Sequence, residues 1–122
     1  MEQINSKQDL INFFEKGCKK ENQLCIGVEH EKFIFDNLTN QRINFETVSK
    51  IFNFLEQFGW KPIKEKDYAI GLSREGQSIT LEPGNQIELS GAKLNSVHLN
   101  CSESYKYLDE LKKACKKLNL KM

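Results

Sequence analysis

Residues 78–90 alternate polar and apolar side chains on either side of a Pro83-Gly84-Asn85 break, and that pattern admits few structures. A period of two belongs to a half-buried strand, with one face on a core and the other away from it. Ile87 and Leu89 take the inward face, so Gln86, Glu88 and Ser90 share the other. Proline has no ladder donor and suits a bulge, an edge or a turn. Glu82 therefore has two placements. It joins the polar face if the strand runs on through a bulge or bend, or it lies across the ladder if Pro83-Gly84 is a tight hairpin turn. Either geometry gathers Glu82 and Glu88 near one site.

A second stretch has the same period. Between residues 24 and 35, Leu24, Ile26, Val28 and Ile34 fall on one face, and Gly27, Glu29, Glu31, Phe33 and Phe35 on the other. Carboxylates two positions apart in an extended chain leave the same side, where each raises the other's pKa unless a cation intervenes. Magnesium suits such a pair, because it takes carboxylate oxygens and keeps water for bridging to phosphates. Glu29, Glu31, Glu82 and Glu88 on one sheet face would form an acidic floor able to hold two or more such ions. The alternative is an outer sheet face whose glutamates meet only solvent. No GxxxxGK phosphate loop is present, and none is needed if metals grip the phosphates.

The remaining pattern sets the surroundings. Ser6 is a fitting N-cap, and Leu10, Ile11, Phe14 and Cys18 give residues 7–19 an amphipathic helical period. Asp36-Asn37 opens a turn with a short return through Arg42 and Ile43. Asn44 caps a second helix with Val48, Ile51, Phe52, Leu55 and Phe58 on one stripe, and Gly59 ends it. Tyr68–Leu72 reads as a strand, and Arg74-Glu75-Gly76-Gln77 as the turn into the next. A last helix starts at Asn95 or Ser96, with Val97, Cys101, Tyr105, Leu108, Leu111 and Cys115 facing inward. Trp60, Phe33 and Phe35 read as core, His30 as a structural histidine, Ser90 as a hydrogen-bond donor, and the lysine-rich end as a solvated helix face. This order predicts one α+β domain over residues 1–122, a mostly antiparallel sheet with helices packed on one face.

A formal net charge of +1 gives no field to recruit nucleic acid or an anionic membrane. No apolar run is long enough to span a bilayer, and the first twenty residues lack a secretory core or transit character, so the expected location is cytoplasmic. The cysteines Cys18, Cys25, Cys101 and Cys115 form no CxxC pair and no zinc spacing, which predicts free thiols.

Both acidic stretches resemble one family. Gly27-Val28-Glu29-His30-Glu31-Lys32-Phe33 is similar to the GxEHEKF segment of glutamate–cysteine ligases of the plant and proteobacterial type. Ser78 to Ala92 resembles that family's SxxLEPGGQxELSGA segment, with Asn85 in place of the usual glycine and Ile87 in place of an aromatic. The two motifs stand in the right order, and the resemblance covers essentially the whole chain. It implies an incomplete, amino-terminal part of a glutamine-synthetase-like catalytic domain. It also implies ATP-dependent joining of the L-glutamate γ-carboxyl to the L-cysteine amine through an acyl phosphate. By the same resemblance, Glu29, Glu31, Glu82 and Glu88 would be Mg2+ ligands, and Gln86 and Ser90 would line the substrate or nucleotide side. The family's later cationic residues have no counterpart here, since Arg42 and Arg74 are the only arginines. A fragment inactive alone is therefore expected. Two other readings are a related ligase using another amine and a non-catalytic binding module derived from the ligase.

Overall fold

The computed structural model describes residues 3–122. Helix α1 (Lys7–Gly17) begins as predicted, with the Asp9 amide donating to Ser6 Oγ at 3.1 Å and so satisfying an orphan N–H of the first turn. Its apolar stripe finds no partner among the described residues, however. Leu10, Ile11, Phe14 and Cys18 are all exposed, and the helix buries no residue.

Regular pairing starts later than the alternation suggests. Strand β1 is only Glu29–Lys32, and β2 is Phe35–Asp36. The partner of Glu29 is Ser90, where the neighbouring strand ends, so the chain upstream has no ladder to join beyond one bridge from Ile26 to Leu94. Leu24 and Ile26 are consequently exposed, and Ile34 alone of that predicted inward set is buried. Of the aromatics assigned to the core, Trp60 is 2% exposed, Phe35 is half-buried, and Phe33 is exposed.

Helix α2 (Phe45–Leu55) is capped by Asn44, whose Oδ1 accepts the Thr47 amide at 3.0 Å. Val48, Ile51, Phe52 and Leu55 are buried, and Gly59, at φ 88°, supplies the left-handed stop after a short 3₁₀ turn. Strand β3 (Lys61–Glu65) follows. The sequence pattern assigns no element there; β3 is a sheet edge, where the missing donor of Pro62 is tolerated.

Strands β4 (Tyr68–Arg74), β5 (Gln77–Glu82) and β6 (Gln86–Ser90) complete the sheet in the order β1-β6-β5-β4-β3, every neighbour antiparallel. Glu75 and Gly76 take φ 49° and 84°, the two left-handed centres that match the twist of a tight hairpin. Arg74 is the last residue of β4, and its side chain is buried rather than held in the turn.

Helix α3 (Val97–Lys117) is capped by Ser96 Oγ, and a two-residue β7 (Leu120–Lys121) pairs with β2. Its inward face differs from the predicted stripe. Asn100, Tyr107, Glu110, Leu111, Ala114 and Cys115 are buried, while Val97, Cys101 and Tyr105 are exposed. Leu111 and Cys115 thus face inward as expected, and Glu110, outside that stripe, is buried with its carboxylate accepting from Arg74 Nη1 and from Trp60 Nε1, both at 2.8 Å. Helices α2 and α3 thus cover the sheet face of Leu72, Ile79, Ile87 and Leu89, all fully buried. Burial of each such side chain contributes about 1.5–3 kcal/mol. The α+β expectation holds, with the helical layer formed by α2 and α3.

Candidate functional site: a carboxylate face on the sheet

The register decides how the acidic residues meet. Glu31 stands opposite Glu88, and Glu88 opposite Thr80; Glu29 stands opposite Ser90, and Ser90 opposite Ser78. Glu82 pairs with Gln86, so Pro83-Gly84-Asn85 is a hairpin turn and not a bulge. Gly84 and Asn85 take φ 77° and 60°, and the Asn85 side-chain amide donates to the Ile43 carbonyl at 2.9 Å. Asparagine thus tolerates the left-handed backbone that glycine would take, and also ties the turn to the layer behind it.

Alternation then places all six predicted residues on the face away from the helices. Directly opposed residues have Cβ atoms about 4.5–5.5 Å apart, so Glu31 and Glu88 are close neighbours. Glu29 and Glu31 are exposed, Glu82, Gln86 and Ser90 are half-buried, and Glu88 is 9% exposed. Ser90 Oγ donates to Glu88 Oε1 at 2.8 Å, which fixes that carboxylate across the strand surface. Thr80 and Ser78 lie in the same rows and extend the face. They were readable from the β5 alternation, which carries 78, 80 and 82 to one side.

Electrostatics register the crowding. Burial first, and then the Glu88 carboxylate, raise the Glu31 carboxyl above its ordinary value; Glu82 and Glu29 push in the same direction. Hard carboxylate oxygens that repel one another are a donor set suited to a divalent cation such as magnesium. In the side-chain arrangement present, however, no three His, Cys, Asp or Glu residues among those described converge tightly enough to enclose a metal ion. The residues share a face, and a ligand set would require their side chains to turn toward a common point.

The motif glycine after Ser90 has a steric reason. Gly91 N–H donates to the Val28 carbonyl at 2.7 Å, and a Cβ there would meet Val28 O at 2.9 Å and collide with the Glu103 carboxylate. That carboxylate accepts the Ala92 amide at 3.1 Å, so the exit of β6 is clamped between β1 and α3. Clamping this corner holds Glu29 in register with Ser90.

The two arginines part company. Arg42 sits over the Phe33 ring, 5.5 Å from its centroid, beside Gly84 in the turn that joins Glu82 to Gln86. Arg74 lies on the helix side of the sheet, ion-paired with Glu110. His30 also faces the helices, where its ring meets Tyr107 edge-on with centroids 6.3 Å apart and burial lowers its pKa. Arg42 thus stands beside the turn at the rim of the carboxylate face, and Arg74 and His30 lie on the other side of the sheet.

Known proteins resemble the chain over most of its length. The chain is 40% identical over 116 residues to "Glutamate--cysteine ligase, chloroplastic" of Medicago truncatula, covering 94% of this chain and 23% of that protein. It is 37% identical over 116 residues to the protein of the same name from Arabidopsis thaliana, covering 94% of this chain and 22% of the relative. It is 43% identical over 108 residues to "Glutamate--cysteine ligase A, chloroplastic" of Oryza sativa subsp. japonica, covering 88% and 22%. The chain thus spans between a fifth and a quarter of the length of these relatives. Residues 25–122, which include both acidic motifs, match the profile of Glutamate-cysteine ligase family 2 (GCS2), and the chain belongs to that family.

Proposed function

We propose that this chain forms the acidic part of a glutamate–cysteine ligase active site, which joins the γ-carboxyl of L-glutamate to the amine of L-cysteine at the expense of ATP. The observation that carries the reading is the register that sets Glu31 against Glu88, with Glu29 and Glu82 beside them, on the open face of a family member. In this reading Glu29, Glu31, Glu82 and Glu88 hold Mg2+, which would supply charge neutralisation for the ATP phosphates and the developing acyl phosphate. Ser90 holds Glu88 in place, and Gln86, at the mouth of the β5–β6 turn, offers an amide to glutamate or nucleotide. Arg42 at the same turn is placed to meet an anionic substrate group. The remaining cationic groups would come from outside these residues, so the chain alone is expected to show little or no turnover.

We further propose that the five strands are part of a larger glutamine-synthetase-like sheet that continues beyond β1. In support, β1 is an edge strand whose outer side has no ladder partner among the described residues. The proposed location is the cytoplasm. All four cysteines are free, which fits a reducing compartment.

The test is titration of Mg2+, or Mn2+ followed by relaxation, into wild type and the Glu29→Gln and Glu88→Gln variants. Weaker binding by each variant is the expected result. Equal binding by all three would remove the metal floor. In the enzyme that carries this segment, ATP consumption stimulated by cysteine but not by other amines would fix the amine; no stimulation by cysteine would overturn the substrate assignment.

A further inference from the structure

The helix side of the sheet is covered unevenly. Helix α2 packs against α3 and β4. At the β1 end, a groove of about 350 Å³ stays open between α3 and the segment leading into β1. Its apolar lining is Ile26, Val28, Val97, Cys101, Tyr105 and Leu108. Ile26, Val97, Cys101 and Tyr105 are all exposed, although Val97, Cys101 and Tyr105 repeat along α3 as regularly as a core stripe. Apolar side chains gathered in this way mark a surface that another element covers.

Helix α1 carries a matching stripe. Leu10 and Phe14, four positions apart, form one row with Ile11 beside it, and α1 buries none of them. On α3, Val97, Cys101 and Tyr105 recur at the same interval of four. Rows of this spacing on two helices interdigitate, ridge into groove. The lengths agree as well. The eleven residues of α1 rise about 16 Å, and Val97 to Leu108 on α3 rise about 17 Å. Residues 18–25, all exposed, join α1 to Ile26, which already lines the groove. From Gly17 to Ile26 that tether reaches up to about 30 Å, more than the length of the groove.

We propose that α1 closes over this groove as a third helix beside α3, seating Leu10, Ile11 and Phe14 against Val97, Cys101 and Tyr105. Area decides between this chain's own α1 and that of a second copy. A whole aromatic side chain covers about 150–250 Å², so Phe14 at 68% exposed, with the partly covered Leu10 and Ile11, brings roughly 300 Å². A stable interface between separate proteins buries about 800 Å² on each partner. Even a reciprocal exchange, burying stripe and groove on each copy, reaches only about 600 Å². A tethered helix needs far less, because a short linker holds it at an effective concentration of about a millimolar. Closure would brace the segment leading into β1 from the helix side, leaving the Glu29 and Glu31 face of the strand open.

Cys101 reports closure, because it lines the groove and is exposed while α1 stands away. The test is the rate at which iodoacetamide alkylates Cys101 in the chain, read by mass spectrometry of its peptide, in wild type and in a Leu10→Glu, Phe14→Glu double variant. Both positions are exposed and glutamate is a good helix former, so circular dichroism should show the variant folded. Labelling of the wild type is expected to be slower by about tenfold, which corresponds to one open molecule in about ten. A Tyr105→Glu variant, altered on the groove side alone, should speed hydrogen exchange at the α1 amides. Equal Cys101 rates in wild type and double variant, or α1 exchange unchanged by Tyr105→Glu, would overturn the proposal. So would protection that grows with protein concentration alongside a dimer in light scattering, because the occupant would then be the α1 of a second copy. All these measurements are made in EDTA, so their outcome is independent of the metal floor.

Discussion

Replacing Glu110 by alanine isolates the largest polar interaction in the core. The Glu110 carboxylate accepts from Arg74 and from Trp60 at 2.8 Å each, and the two members of the ion pair are each 6% exposed. Removing it leaves a guanidinium that cannot deprotonate in a site with little water, and breaking a buried pair in this way costs about 3–5 kcal/mol. The orphaned Trp60 N–H adds a desolvation cost of about 1–3 kcal/mol. The two share one carboxylate and overlap, so the expected loss is about 4 kcal/mol. A small domain has only about 5–15 kcal/mol in total. Urea denaturation followed by Trp60 emission measures the change, and with a slope of about 2 kcal/mol/M the midpoint should fall by about 2 M. A Glu110→Leu, Arg74→Met double variant removes both charges together and should recover most of the loss. A Glu110→Ala midpoint within about 0.5 M of wild type would refute the argument, as would a double variant weaker than the single one.

The carboxylate face predicts a pH response. Glu31 titrates above its ordinary 4.5, so protonation favours the folded state, and that contribution disappears as the pH rises through the raised value. Stability at neutral pH should consequently increase on Glu88→Gln substitution, and the gain should vanish below pH 4.5; thermal melts across that range would show it, and a gain independent of pH would contradict the coupling. Gly91→Ala should destabilise by about 1–3 kcal/mol, since its Cβ meets the Val28 backbone as well as the Glu103 carboxylate. An unchanged melting temperature would show that the β1–β6 corner can open.

The strands that carry the carboxylates were legible because their alternation is strict. Glu88, Ser90 and Gln86 share a face for the reason given by Ile87 and Leu89 between them, and Asn44 and Ser96 announce the helices they cap. What was not legible depended on partners distant in sequence. No local pattern marks Glu110 as buried, because its place is set by Trp60 and Arg74 on other elements. The α1 stripe is equally regular, yet periodicity cannot reveal that nothing among the described residues covers it. The choice between bulge and hairpin at Pro83 likewise needed the Glu82–Gln86 pairing itself.

The strand order also has a kinetic meaning. From β3 to β6 each strand pairs with its neighbour in sequence, so this meander closes short loops and can assemble early. Strand β1 must instead reach across α2 and three strands to join β6, which costs more chain entropy and belongs to a late step. Glu29 and Glu31 therefore meet Glu88 only after the hydrophobic layer has formed. Their repulsion should weigh on the rate of unfolding while leaving the rate of folding almost untouched, so the protein can carry a self-repelling surface without slowing its own assembly.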